Sequence, residues 1–181
     1  MTKVVNSAAF VKGVAKSQTL RRFPRALAES SAVGYDVRIV TMPLLAQTDA
    51  DILGCFDVLS ELRPHLQQGE FVERVRRQER EGGYQLAFVR DDQRVTAVAG
   101  FRICEFLAWG KILYVDDLVT ASNNRSRGHG GQLIRWLADQ ARGAGCVQLH
   151  LDSGVQRFDA HRFYLRHRMD ITAHHFALKL E

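Results

Sequence analysis

The chain has 181 residues and a mass of 20.5 kDa, enough for one domain with a substantial core and too little for two large domains and a linker. Hydrophobic residues at 46% and charged residues at 25%, with a mean hydropathy of -0.19, exclude a disordered or collagenous chain. No run approaches the roughly 18 consecutive apolar residues that cross a bilayer, and no membrane association is expected.

The formal charge of +5 suggests an anionic partner, but its location changes the meaning. Lys3, Lys12, Lys16, Arg21, Arg22 and Arg25 stand in a stretch, Met1 to Ala28, that has no Asp or Glu, so the remainder is near balance. A nucleic-acid surface on the main body therefore loses its compositional support. Residues 1–35 read as a basic, acid-poor extension, either a tail or, in a eukaryote, an organelle-targeting segment. They lack the continuous apolar region of a secretory signal, and the expected location is cytoplasmic. Cys55, Cys104 and Cys146 are far apart in apolar surroundings, the pattern of core thiols and not of a disulfide framework or a zinc site.

In chain order, Asp36 to Met42 is rich in β-branched residues and predicts an opening strand. Thr48 as N-cap, acids at Asp49 and Asp51, and apolar Ile52, Leu53, Phe56, Leu59 and Leu62 predict a helix that runs to Pro64. A charge-dense helix follows from Gly69 to Glu81, its four arginines matched by four glutamates as on a solvated face. YQLAFVR, DDQR and VTAVAGFRIC spell a hairpin, and Lys111 to Thr120 a strand interrupted by Asp116 and Asp117. An amphipathic helix with Leu133, Ile134, Leu137 and Ala141, a strand VQLHLDS, a short helix FDAHRFYLRH and a closing strand ITAHHFALKL complete the order. This layout is mixed α/β, α+β-like, with a mainly antiparallel twisted sheet of six to seven strands flanked by about four helices. The β-α-β unit from Leu113 to Leu151 should be a parallel crossover.

The most informative stretch is Arg125-Ser126-Arg127-Gly128-His129-Gly130-Gly131, between the diacid strand and the amphipathic helix. Glycines permit close approach, and a helix start leaves several amide hydrogens without intrahelical partners. With the helix dipole and two arginines, they form a seat for a diphosphate-like anion. Neither the Walker pattern nor GxGxxG is present.

Arg125-x-x-Gly128-x-Gly130 resembles the Arg/Gln-x-x-Gly-x-Gly/Ala motif of the GNAT superfamily of N-acetyltransferases, in the same place between strand and helix. Ala160-x-x-x-Tyr164 and the element order from Asp36 to Leu180 are similar too, and the wording is that of the small bacterial-type members. The resemblance implies a GNAT fold over 36–181 and an acetyl-CoA-dependent N-acetyltransferase without metal. It implies that the amides from Arg127 through His129 and Gly130 to Gly131 hold the pyrophosphate, supplemented by Arg125. The backbone of Leu118, Val119 and Thr120 would hold the pantetheine arm, with the Val119 amide near the thioester oxygen. The departures are Arg157, where Asn often stands, and Arg168-Met169, where Gly-Phe is common.

Acetyl transfer to an amine by direct attack needs a base, a polarised carbonyl and an acid for the leaving thiolate. The family position of Tyr164 implies the acid. Asp116 and Asp117 are strand neighbours whose side chains should point to opposite faces, Asp117 with Val115 and Val119, Asp116 with Tyr114 and Leu118. Parity alone does not choose between them as base, directly or through water. The one in the cleft would favour a cationic acceptor. His150 and Asp152 share a face by the two-residue period and are weaker substrate candidates. His161, His167, His174 and His175 do not make a metal site by spacing. The acceptor, a small amine or a protein lysine, stays open, as does a homodimer. The competing readings are a catalytically silent CoA-binding regulatory domain and, with less support, a nucleic-acid module acting through the leader.

Overall fold

The computed structural model describes residues 42–180, so the leader expected at 1–35 and the strand expected at Asp36–Met42 lie, except for Met42, outside the described residues. The first described pairing is a two-residue strand, β1 (Leu44–Leu45). Thr48 then caps α1 (Asp49–Gly54): its hydroxyl accepts from the Asp51 amide, while the Asp51 carboxylate accepts from the Thr48 amide at 3.0 Å.

The single helix expected up to Pro64 is divided at Cys55 into α1 and α2 (Phe56–Leu62). The fully buried Cys55 thiol donates to the Asp51 carbonyl at 3.3 Å. The Cys55 amide turns to the Ile52 carbonyl, which tightens the last turn. Burial pushes this thiol up to about 12, so it is an inert core group. Helix α3 (Gln68–Gly82) ends on Gly83 at φ 64, and the Tyr84 amide bonds back to the Gln78 carbonyl.

Strands β2 (Gln85–Asp91), β3 (Arg94–Phe106) and β4 (Gly110–Thr120) form an antiparallel meander. Helix α4 (His129–Gly143) carries the chain over to β5 (Gln148–Leu151), which pairs parallel to β4 as expected. The sheet order is β1-β2-β3-β4-β5. Alternation along β3 feeds two cores. Val98 packs with Ile52, Phe71 and Val75 under α1 to α3. Ala97 and Ala99 pack with Leu133 and Leu137 of α4 on the other face. The last helix is α5 (Phe158–Arg166).

The closing strand expected over Ile171–Leu180 does not form: residues 170–180 are in neither helix nor strand. Among the described residues there are five strands where the sequence suggested six to seven, and five α-helices where it suggested about four, because the first divides; the mixed α/β class stands. No helix among the described residues is long and apolar enough to cross a membrane.

Arg168 takes φ 62, the left-handed region that glycine enters freely and other L-residues enter at a cost. Arg168→Gly should therefore stabilise the domain by roughly 0.5 kcal/mol after the entropy cost of glycine is deducted. Urea unfolding measures this, and a lower midpoint would contradict it.

Candidate active site

Strands β4 and β5 are paired only from Ile112↔Gln148 to Val115↔Leu151. Beyond that, β4 runs on to Thr120 while β5 stops, so the edge of β4 turned away from β3 is unpaired from Asp116 to Thr120 among the described residues. The opening is a cleft lined by Asp116 and Leu118 of β4, Asp152 past β5, Arg157 just before α5, Tyr164 of α5, and Arg63 just after α2.

Strand β4 carries a bulge where the diacid stands. Gly100 pairs with Asp117 and Phe101 with Val115, leaving Asp116 as the extra residue. The alternation inverts there: Val115 packs against the α4 core, yet Val119 packs against the α1 to α3 core and Leu118 against the α4 core. The expectation that Asp117 shares a face with Val115, and that the two acids point to opposite faces, is thus corrected. Both acids instead meet groups gathered around Tyr84. Asp117, its side chain 12% exposed, accepts from Arg63 Nε at 2.8 Å and from the Tyr84 hydroxyl at 3.1 Å. Asp116 accepts from Arg102 Nε at 2.9 Å, and the Arg102 guanidinium lies over the Tyr84 ring.

Burial, then the Asp117 and Asp116 carboxylates, hold the Tyr84 phenol well above its ordinary range, so it remains a donor. Sequence reasoning did not find Tyr84, Arg63 or Arg102. The one available signal was Gly100, whose missing Cβ leaves room for the Tyr84 oxygen. In the cleft itself Arg63 and Arg157 stand with Asp116 and Asp152, while Arg102 and Asp117 lie behind it, each bonded to one of these groups.

Asp152 lines the cleft and accepts from the Tyr114 hydroxyl at 2.6 Å. His150 does not line this cleft: its imidazole bonds Gln148 and packs against Trp109, with ring centroids 4.8 Å apart. His167 bonds the Phe163 carbonyl through Nδ1 at 2.9 Å, and His175 Nδ1 lies 3.2 Å from Asp152. No group of three or more His, Cys, Asp or Glu able to hold a metal occurs among the described residues.

At the far end of the opening, Gly128 at φ 90 is the N-cap of α4 and no side chain caps the helix. The amides of His129, Gly130 and Gly131 are therefore left for an anion. A Cβ at Gly130 would come within 3.2 Å of the Thr120 hydroxyl, so the end of β4 abuts this helix start. Arg127 is exposed; Arg125 leans back, its guanidinium 3.8 Å from Glu61, which also accepts from the Ser122 amide. Both ring nitrogens of His129 and the Gln132 Oε1 are buried with no hydrogen-bond partner. Orphaned polar atoms at an uncapped helix start suit a polar ligand seated there.

Tyr164 is pushed above the ordinary phenol value of 10.0 by burial, with Arg157 pulling the other way. It faces the same opening from α5.

This mixed α/β domain, with its splayed strand pair and anion-receptive helix start, matches known proteins. Residues 51–168 match the sequence profile described as the acetyltransferase (GNAT) family. A Bacillus subtilis (strain 168) protein named "Uncharacterized N-acetyltransferase YhdJ" is 34% identical over 109 residues, 60% of this chain and 77% of that one. Glucosamine 6-phosphate N-acetyltransferase 1 of Oryza sativa subsp. japonica is 32% identical over 133 residues, 70% of this chain and 80% of that one. Among solved structures, a putative acetyltransferase from Agrobacterium tumefaciens str. C58 superimposes with a TM-score of 0.67 at 21% identity, covering 76% of this chain and 99% of its own. The chain belongs to the GNAT family of acetyltransferases.

Proposed function

We infer that the protein transfers the acetyl group of acetyl-CoA to a primary amine by direct attack. The observation that carries this reading is the unpaired edge of β4 from Asp116 to Thr120, which runs between the uncapped start of α4 and the Tyr164 cleft. Acetyl-CoA supplies the activated thioester carbonyl. The amides of His129, Gly130 and Gly131, with Arg127 and Arg125, hold its pyrophosphate, and the backbone of Leu118, Val119 and Thr120 holds the arm that leads into the cleft.

Asp116, the cleft-lining member of the diacid, takes the proton that the amine nitrogen loses as it bonds to the carbonyl carbon, directly or through water. Tyr164 gives its phenolic proton to the sulfur as the C–S bond breaks. Asp117, tied to Arg63 and Tyr84, fixes the bulge that sets Asp116 in place. The matched charges around the cleft favour a neutral or zwitterionic amine over a polycation.

Turnover of acetyl-CoA across a panel of monoamines, amino acids, polyamines and lysine peptides tests the activity and the acceptor class together. Saturable binding with no turnover on any amine would replace the enzyme by a CoA-binding regulatory domain. Replacing Arg125 and Arg127 together by Ala should weaken acetyl-CoA binding about tenfold in calorimetry, and the loss should shrink at high salt. Unchanged affinity would remove this helix start from the cofactor site.

A further inference from the structure

Four charged side chains line the cleft, and three of them are already bonded. Asp116 accepts from Arg102 Nε at 2.9 Å. Asp152 accepts from the Tyr114 hydroxyl at 2.6 Å and lies 3.2 Å from His175 Nδ1. Arg63 donates to Asp117 at 2.8 Å and to the Asp116 carbonyl at 3.1 Å. The fourth is Arg157. Its backbone is engaged, the amide donating to the Gly154 carbonyl at 2.9 Å and the carbonyl accepting from the His161 amide at 3.0 Å. Among the described residues its guanidinium has neither hydrogen bond nor ion pair. Asp159, the nearest acid along the chain, is held by Arg162 at 2.9 Å. The Arg157 charge is felt at the Tyr164 phenol, which puts the guanidinium within electrostatic reach of the reacting end. The same cleft is lined by Ser153, whose Oγ is buried with no hydrogen-bond partner. A guanidinium without a counter-ion and a buried hydroxyl without a partner, in one opening, both suit an oxyanion that accepts from them.

We propose that the acceptor amine carries an acidic group, a carboxylate or a phosphate, and that Arg157 and Ser153 receive it. This rests on the acetyl-transfer reading above and narrows its acceptor from primary amines in general to amines that bear an oxyanion. The acidic group takes no part in the transfer: the amine nitrogen bonds the thioester carbon, and the C–S bond breaks with its electron pair going to sulfur. Arg157 contributes position and selection. The planar fork of a guanidinium matches two oxygens of a carboxylate or phosphate, and the Ser153 hydroxyl adds a further donor. Asp116, paired with Arg102, repels the incoming anion less than a bare carboxylate would. An acceptor without the acidic group leaves both Arg157 and Ser153 unpaired, and that cost separates one acceptor from another.

Two matched pairs of acceptors test this with the full chain: β-alanine against β-alaninamide, and O-phosphoethanolamine against ethanolamine. In the wild type, kcat/KM should favour the acidic member of one pair by about thirtyfold, and the pair that shows it tells carboxylate from phosphate. Arg157→Gln should reduce that preference to within about threefold, through KM and with acetyl-CoA affinity unchanged. Arg157 is exposed, so its replacement leaves the fold intact. Ser153→Ala should reduce the preference about fivefold. Turnover of amines with no preference for an acidic group would overturn the proposal and leave the acetyltransferase reading standing. So would a preference that persists in Arg157→Gln. A loss shared equally by both members of a pair, together with weaker acetyl-CoA binding, would assign Arg157 to the cofactor and overturn it too. No turnover of any amine, acidic or neutral, would overturn the acetyltransferase reading itself and the proposal with it.

Discussion

Replacing Tyr164 by Phe should lower kcat about a hundredfold while leaving the affinity for acetyl-CoA unchanged, because in the proposed mechanism the variant loses only the proton given to the departing sulfur. The ring itself, packed edge-on against Phe163 with centroids 5.4 Å apart, keeps its place. The pH profile sharpens the test. Burial raises the phenol above 10.0, so the acid form persists across neutral pH and the alkaline limb of kcat due to Tyr164 lies above that value. In Tyr164→Phe this limb should vanish. Full turnover in the variant would place the leaving-group proton elsewhere, and a parallel loss of acetyl-CoA affinity would make Tyr164 a packing residue.

Gly100→Ala should destabilise the domain by about 3 kcal/mol, the largest cost expected of so small a change in the sheet. The added Cβ would overlap the Tyr84 oxygen and two carbons of its ring. Tyr84 is 3% exposed and its neighbours are core, so the ring cannot swing out without breaking its bond to Asp117. Asp117 would then keep Arg63 alone. A shift of about 8 °C in Tm is the corresponding thermal reading. Tyr84→Phe offers the contrast, since it removes the hydroxyl without adding volume and should cost about 1 to 2 kcal/mol. A Gly100→Ala protein within 0.5 kcal/mol of wild type would show that the Tyr84–Asp117 contact is not rigid.

The parts of the fold that depend on local pattern were legible in the sequence. Helices α3, α4 and α5, the hairpin and the parallel crossover follow from three-, four- and two-residue periods and from glycine stops. The parts that depend on a partner distant in sequence were not. Cys55 divides a continuous helical period because its thiol reaches the Asp51 carbonyl, a choice made by burial. The closing segment has strand periodicity, and periodicity reports which face would be buried, not whether an edge is at hand to receive it. At the site, the helix start and Tyr164 were readable because glycines and a family motif mark them. Arg63, Arg102 and Tyr84 carry no local mark; the long-range bonds to Asp117 and Asp116 give them their place.

The extra residue in β4 has a consequence for how this site tolerates change in chain length. Deleting position 116 would leave Gly100 opposite Asp117 and Phe101 opposite Val115, so Leu118 and Val119 would keep their cores and the loss would be the Asp116 carboxylate with its bond to Arg102. Deleting Leu118 instead, one step beyond the bulge, would turn Val119 toward α4. The strand thus tolerates a shorter chain at one position and not at its neighbours.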